Sequence, residues 1–250
     1  MPRRRRNWEA QVCYHITQRC HDREYLFRFS KYRDMYRYYL FEATKRFNIR
    51  ILTWMVTSNH VHLLVTSGKR GGVQISKALQ FVHGEVAQHY NLSRKHDGSF
   101  WSNRFHSTRI QDGRHLRRCL FYIDMNMVRA KKEMEHPSEW QHGSWEEFFG
   151  NRQRYRIIDR ETLLNRLGIS NWDHFQDWYR DTLGDVLEND RFCRRQQFWS
   201  SAAAVGDPDW LEQTAGQIGM KRFDAIVATN GDGFGDKSFF LRAKNSSKGS

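Results

Sequence analysis

Residues 49–66 read IRILTWMVTSNHVHLLVT, and this stretch decides the fold. Ile49–Thr57 and His60–Thr66 are both rich in β-branched, aromatic and aliphatic residues. Ser58-Asn59 between them suits a tight turn, so the stretch predicts a β-hairpin. Side chains alternate faces along a strand, so His60 and His62 share one face while Val61 and Leu63 take the other.

Upstream of the hairpin, Val12, Tyr14 and Ile16 alternate with Cys13, His15 and Thr17, which predicts a strand with two distinct faces. Between strand and hairpin, Tyr32, Met35, Tyr36, Leu40, Ala43 and Phe47 recur at helical spacing, with Ser30 placed to cap the helix. Downstream, Gly71-Gly72 precedes a second helix marked by Ile75, Leu79, Val82, Val86 and Tyr90. Asn91–Ser99 reads as a loop, Phe105–Ile110 as a short strand, and Asp112 introduces a third helix with the stripe Leu116, Leu120, Ile123 and Met127. The resulting order, β-α-β-β-α-β-α, is an α+β pattern with helices packed on a mainly antiparallel sheet.

The character changes after Pro137. Trp140, Trp145, Phe148 and Phe149 lie in a polar stretch, Arg152–Arg156 form a basic connector, and residues 158–199 are helical in pattern. A capping-box start is expected at Ser170, a short helix over Asp209–Gln217, and a loose tail from Thr229. A soft boundary near residue 150 would separate a domain of residues 1–150 from a mostly helical extension of residues 151–250.

Charge follows the same division. The chain carries 41 Lys and Arg against 28 Asp and Glu, a net +13. Residues 1–150 hold 26 against 14, a net +12, whereas residues 151–250 hold 15 against 14, a net +1. A first half so basic points to a polyanionic partner, most simply nucleic acid. With 39% hydrophobic and 14% aromatic residues, the 250-residue chain can bury a sizeable core. No apolar run approaches the ~18–20 residues of a membrane span, and Met1-Pro2-Arg3-Arg4-Arg5-Arg6 lacks the apolar core of a secretory signal, so neither export nor membrane insertion is expected. Cys13, Cys20, Cys119 and Cys193 form no C-x-x-C pair and fit free thiols in a reducing cytoplasm.

Two constellations carry chemistry. His60 and His62 can share a divalent metal and leave positions open for substrate. With 12 His in 250 residues, chance alone supplies roughly 0.6 such H-x-H triplets, so this spacing settles nothing unaided. On the third helix, Tyr122, Asn126 and Arg129 fall at i, i+4 and i+7 and present a phenol, an amide and a guanidinium on one face. That face lies beside the apolar stripe and not on it, so the core does not require Tyr122. A tyrosine oxygen can attack phosphorus once a metal polarises the phosphate, and the Asn126 amide oxygen could complete the site begun by the two His.

Four segments in this order resemble the REP-associated tyrosine transposases, which belong to the HUH single-tyrosine (IS200-like) transposases. They are Tyr14-His15-Ile16-Thr17-Gln18-Arg19, Asn59-His60-Val61-His62-Leu63-Leu64, Phe100-Trp101-Ser102-Asn103-Arg104-Phe105, and Tyr122-Ile123-Asp124-Met125-Asn126 with Val128-Arg129-Ala130. The resemblance runs from Val12 to Trp145 and, with the element order, implies a ferredoxin-like, RRM-like palm. It implies His60, His62 and Asn126 as ligands of magnesium or manganese, and Tyr122 as the nucleophile. It also implies cleavage and rejoining of single-stranded DNA beside palindromic REP-type hairpins through a 5′-phosphotyrosine, in the bacterial cytoplasm at the nucleoid. A monomer is expected, with a helix-exchanging dimer as the alternative.

DNA contacts are expected from the basic arm Arg3, Arg4, Arg5 and Arg6, and from Trp101, Arg104 and Arg109, which interleave an aromatic ring with cations. Arg129 and Lys131 would extend a phosphate track. The chain departs from the family pattern twice. Met127 follows Asn126 where the family has Pro, which predicts a helix running on smoothly, and Cys20 stands near a family Gly. Two other readings compete: a non-catalytic hairpin-binding protein, and a zinc hydrolase using His60 and His62 with His106 or Asp124.

Overall fold

The computed structural model describes residues 8–69, 71–130, 134–150, 152–188, 196–218, 223–227 and 239–243. In chain order the first elements are β1 (Cys13–Arg19), α1 (Ser30–Phe47), β2 (Ile49–Val56), β3 (His60–Ser67), α2 (Val73–Arg94), β4 (His106–Ile110), α3 (Arg114–Asp124) and α4 (Asn126–Ala130). They are followed by α5 (Trp145–Phe148), α6 (Arg160–Leu167), α7 (Trp172–Glu188), β5 (Ala204–Gly206), α8 (Pro208–Ile218), β6 (Phe223–Val227) and β7 (Phe239–Ala243).

The hairpin forms as its residues predict, with β2 antiparallel to β3 from Ile49↔Ser67 to Val56↔Val61. Strand order β2-β3-β1-β4 with antiparallel neighbours is the ferredoxin-like palm. The sheet then continues through β5, parallel to β4, to β7 and β6.

Strand alternation divides the core between the two faces of this sheet. Tyr14, Ile16, Val61, Leu63 and Val65 pack under α1 and α2 with Tyr36, Leu40, Leu79 and Val82. Cys13, Met55 and Leu64 face the opposite way, toward Leu116, Leu120 and Ile123 of α3 and Leu163, Phe175 and Tyr179 of α6 and α7. Each fully buried aliphatic or aromatic side chain here contributes about 1.5–3 kcal/mol of transfer free energy. A bulge between Ile51 and Thr53 breaks the alternation of β2. It turns Thr53 to the α3 side, where its hydroxyl meets Asp124 Oδ1 at 3.0 Å and Ser144 Oγ at 2.7 Å.

Local details differ from the sequence expectations in four places. Ser30 is the first residue of α1 rather than its cap, because Phe29 occupies the cap position without a side-chain hydrogen bond. The cap of α7 is Asn171, whose Oδ1 accepts from the His174 amide at 2.9 Å, and not Ser170. Cys20 adopts φ −64°, a conformation open to any residue, so the absent Gly costs nothing there. The third helix does not run on smoothly: Met125, at φ −76° and ψ 1°, separates α3 from α4 despite the missing Pro. Its amide still bonds the Phe121 carbonyl, and its carbonyl the Arg129 amide, so the helix turns without losing those bonds.

Residue 150 is not a break in the packing. Ile158 bridges to Ile51, Arg50 pairs with Asp159 at 2.8 Å, and β5 extends the palm sheet beside β4. Among the described residues after 150 helices outweigh strands, and the segment also supplies β5, β6 and β7 and part of one core. Among the described residues no helix is long and apolar enough to cross a membrane.

Candidate active site

Register assembles the site. In the β1–β3 pairing Arg19 lies opposite His60, Thr17 opposite His62 and His15 opposite Leu64, so all of these share the face covered by α3. The helix brings Tyr122 over that face, and the turn at Met125 places Asn126 beside it. A cavity of about 250 Å³ results, lined by Arg19, Asn59, His60, His62, Tyr122, Asn126, Arg129, Ala130 and Ser200.

The tautomers of both histidines of the H-x-H pair follow from their neighbours. His60 Nδ1 lies 2.7 Å from Asn59 Oδ1 and 2.9 Å from Thr57 Oγ1. Asn59 Nδ2 donates to the Arg23 carbonyl at 3.1 Å, so the amide atom turned toward His60 is the oxygen. His60 therefore donates from Nδ1 and carries its lone pair on Nε2. His62 reaches the same tautomer by a longer route. The Trp199 carbonyl can only accept, so His15 Nδ1 donates to it at 2.7 Å. Neutral His15 then accepts through Nε2 from His62 Nδ1 at 2.9 Å, which leaves the His62 lone pair on Nε2. Burial, chiefly, lowers His15 to about 3 and holds His62 well below the ordinary imidazole range, so both rings are neutral at physiological pH.

His62 Nε2 faces the Asn126 side-chain amide at 3.0 Å. The two ends of an amide differ only by a half-turn, so the same side chain can offer its oxygen to a cation. Two imidazole lone pairs and an amide oxygen thus fit a divalent cation. Among the described residues no group of three His, Cys, Asp or Glu could hold a metal, so the amide is what makes the donor set.

Tyr122 is buried, at 4% exposure, and belongs to the core. The core does not need Tyr122 by its helical spacing, yet includes it, because the turn at residues 197–200 brings Trp199 against its ring. Its ring meets His15 and His62 edge-on at 5.9 and 6.1 Å and lies tilted against Trp199 at 5.8 Å. The Arg129 guanidinium sits 4.4 Å above the same ring and donates to the Tyr122 carbonyl at 2.5 Å. The Tyr122 ring is therefore packed by four neighbours while the residue still lines the cavity.

The residues expected to bind DNA divide. Arg129 lines the cavity, and Arg19, passed over in the sequence, joins it there. Arg104 is exposed on the loop before β4. Arg109 is corrected: it is 3% exposed, its Nη1 pairs with Glu9 Oε1 at 2.7 Å, and its charge serves the interior. Trp101 is placed differently. It is half-buried: its indole N–H donates to the His83 carbonyl at 2.9 Å and its ring packs on Phe100 and His83 at 4.7 and 4.6 Å, which ties it to the core on one side. Arg3, Arg4, Arg5, Arg6 and Lys131 lie outside the described residues. His106 Nε2 bonds the Ala202 carbonyl at 2.9 Å, and Asp124 accepts from Thr53 and Tyr179. Neither lines the cavity, so the zinc-hydrolase set is not assembled.

Sequence reasoning also missed His15, Asn59, Trp199 and Ser200. Alternation already put His15 and Arg19 on one face of β1, and pairing with β3 was the missing step. No signal marked the 3₁₀ turn Gln197–Ser200, which has no periodicity to read.

Residues 9–126 match the family described as transposase IS200 like. Similar solved structures include a REP-associated tyrosine transposase bound to a REP hairpin, at 18% identity and a TM-score of 0.49, covering 64% of this chain and 100% of that one. Another is a protein described as a transposase from Deinococcus radiodurans R1, at 16% identity and a TM-score of 0.34, covering 46% and 90%. No curated protein matches the chain.

Proposed function

Because residues 9–126 carry an IS200-like transposase domain, we propose that the chain cleaves and rejoins single-stranded DNA beside short palindromic hairpins, with Tyr122 as the nucleophile. The observation that carries this reading is the meeting of His60, His62, Asn126 and Tyr122 at one cavity flanked by Arg19 and Arg129. A magnesium or manganese ion held by the two imidazoles and the amide oxygen would polarise the scissile phosphate and neutralise developing charge.

The chain's own groups do the rest. Arg19 and Arg129 hold the phosphate oxygens as charge-assisted donors. Packing by His15, His62, Trp199 and Arg129 fixes the Tyr122 ring, so little rotamer entropy is lost on the way to attack. The Tyr122 oxygen bonds to phosphorus and its proton passes to water. The bond from phosphorus to the 3′ oxygen breaks, and that oxygen takes up a proton to leave as a hydroxyl. One phosphoester replaces another, so attack by a second 3′ hydroxyl rejoins the strand without ATP. Tyr122 and the His pair belong to one chain and pack together, so a monomer suffices.

Labelled single-stranded hairpins, incubated with Mg²⁺ or Mn²⁺ and run on denaturing gels, test this. A covalent protein–DNA adduct is expected, absent with Tyr122→Phe and with chelator. Tight hairpin binding without adduct, across several hairpins, would replace the enzyme by a non-catalytic hairpin-binding protein.

A further inference from the structure

Trp199 lies far along the chain from the H-x-H pair, yet its carbonyl is where the hydrogen-bond chain to His62 ends. We propose that His15, held by the Trp199 carbonyl, is a positioning residue that selects the His62 tautomer able to ligate a metal. This rests on the metal-site reading given above.

The direction of the chain is forced from its far end. A carbonyl has no proton to give, so His15 donates from Nδ1, and a neutral imidazole that donates from one nitrogen accepts at the other. His62 must then donate from Nδ1, and its Nε2 lone pair points at Asn126 and the cavity. In the opposite tautomer an N–H would occupy that direction, and no cation could be bound there. The two imidazoles lie nearly parallel, 14° apart with centroids at 5.1 Å, a geometry compatible with the direct N–H···N contact.

The anchoring segment is itself pinned. Thr108 Oγ1 donates to the Trp199 and Ala202 carbonyls at 3.1 and 2.9 Å, and His106 Nε2 lies 2.9 Å from the Ala202 carbonyl. Thr108 and His106 pair with His15 and Thr17 across β1 and β4, so one face of the palm grips residues 199–202. A buried histidine that only filled space would need no such alignment with a carbonyl on one side and a metal ligand on the other. Outer partners of this kind fix ring orientation and ligand basicity, and their loss weakens metal affinity by roughly 10–100-fold.

Mn²⁺ titration of the full chain, followed by the electron paramagnetic resonance of the free ion, reads the effect. His15→Leu fills the space but offers no acceptor, whereas the side-chain oxygen of His15→Gln can take the His62 proton. We expect roughly 10–100-fold weaker Mn²⁺ binding in His15→Leu and recovery of most of it in His15→Gln. Hairpin binding in chelator should be equal in all three. A folded His15→Leu that binds Mn²⁺ within about twofold of wild type overturns the proposal. Long-range ¹H–¹⁵N spectra of the metal-free wild type, with labelled histidine, test it without any variant. Protons on Nδ1 of both His15 and His62 are expected, and a proton on His62 Nε2 overturns it. A wild-type chain that takes up no Mn²⁺ overturns the metal site on which the proposal depends, and the spectra tell that failure from a wrong tautomer.

Discussion

Replacing Asp124 by Asn should remove a pH dependence of stability that this carboxyl alone creates. Asp124 ends α3 inside the core, 2% exposed, and accepts from Thr53 Oγ1 at 3.0 Å and Tyr179 Oη at 2.5 Å. Burial raises it from 3.8 to about 7, against the lowering effect of the two hydrogen bonds. The unfolded chain releases this proton near pH 3.8, whereas the folded chain keeps it to about pH 7. The stability supplied by the protonated carboxyl is therefore complete below pH 3.8 and is lost as pH rises through 7. A gap of about 3 units, at about 1.4 kcal/mol each, amounts to about 4 kcal/mol. Asn is isosteric and neutral, and its amide can still meet two hydroxyls. Urea unfolding of wild type and Asp124→Asn at acid, neutral and mildly alkaline pH isolates the effect, because every other titrating group cancels in the difference. From about pH 4 to about pH 8 the variant should gain about 4 kcal/mol relative to wild type. A relative change below about 1 kcal/mol would refute the account of a buried, protonated Asp124.

Two further outcomes follow from the placement of the arginines. Arg109→Met leaves Glu9 without its cation and should cost about 2 kcal/mol in urea unfolding while hairpin affinity is unchanged. A tenfold loss of affinity in an equally stable protein would return Arg109 to the DNA surface. Arg19→Gln and Arg129→Gln should each reduce the slope of log affinity against log salt by about 0.7–0.9, read by fluorescence anisotropy with labelled hairpin. An unchanged slope for both would remove these residues from the phosphate path.

The hairpin, the palm order and the shared face of His60 and His62 were legible because each depends on periodicity within a short stretch. The helix carrying Tyr122 was legible as a helix, but its burial was not. Tyr122 on the polar-looking stripe of α3 is buried because residues 197–200 bring Trp199 against its ring. Arg109 and Trp101 misled for a related reason. Cation and indole look like a DNA surface in sequence, and only the position of Glu9 and the His83 carbonyl shows that Arg109 is spent inside and that one side of Trp101 is tied to the core. His15 required a register: its neighbour on the facing strand is Leu64, and the contact with His62 is diagonal. The break at Met125 leaves no trace in propensity, because a turn of helix that keeps its hydrogen bonds needs neither Gly nor Pro.

The 3₁₀ turn bearing Trp199 has a consequence in time. Translation delivers His60, His62, Tyr122 and Asn126 first, and the carbonyl that orients His15 comes 73 residues after Asn126. At about 5–20 residues per second, that is roughly 4–15 s of further synthesis. During this interval the nascent chain carries the four candidate site residues but not the carbonyl to which His15 donates. On the proposed reading, a chain released before Trp199 would hold the same candidate residues with the His62 tautomer unselected, and would bind metal roughly 10–100-fold more weakly.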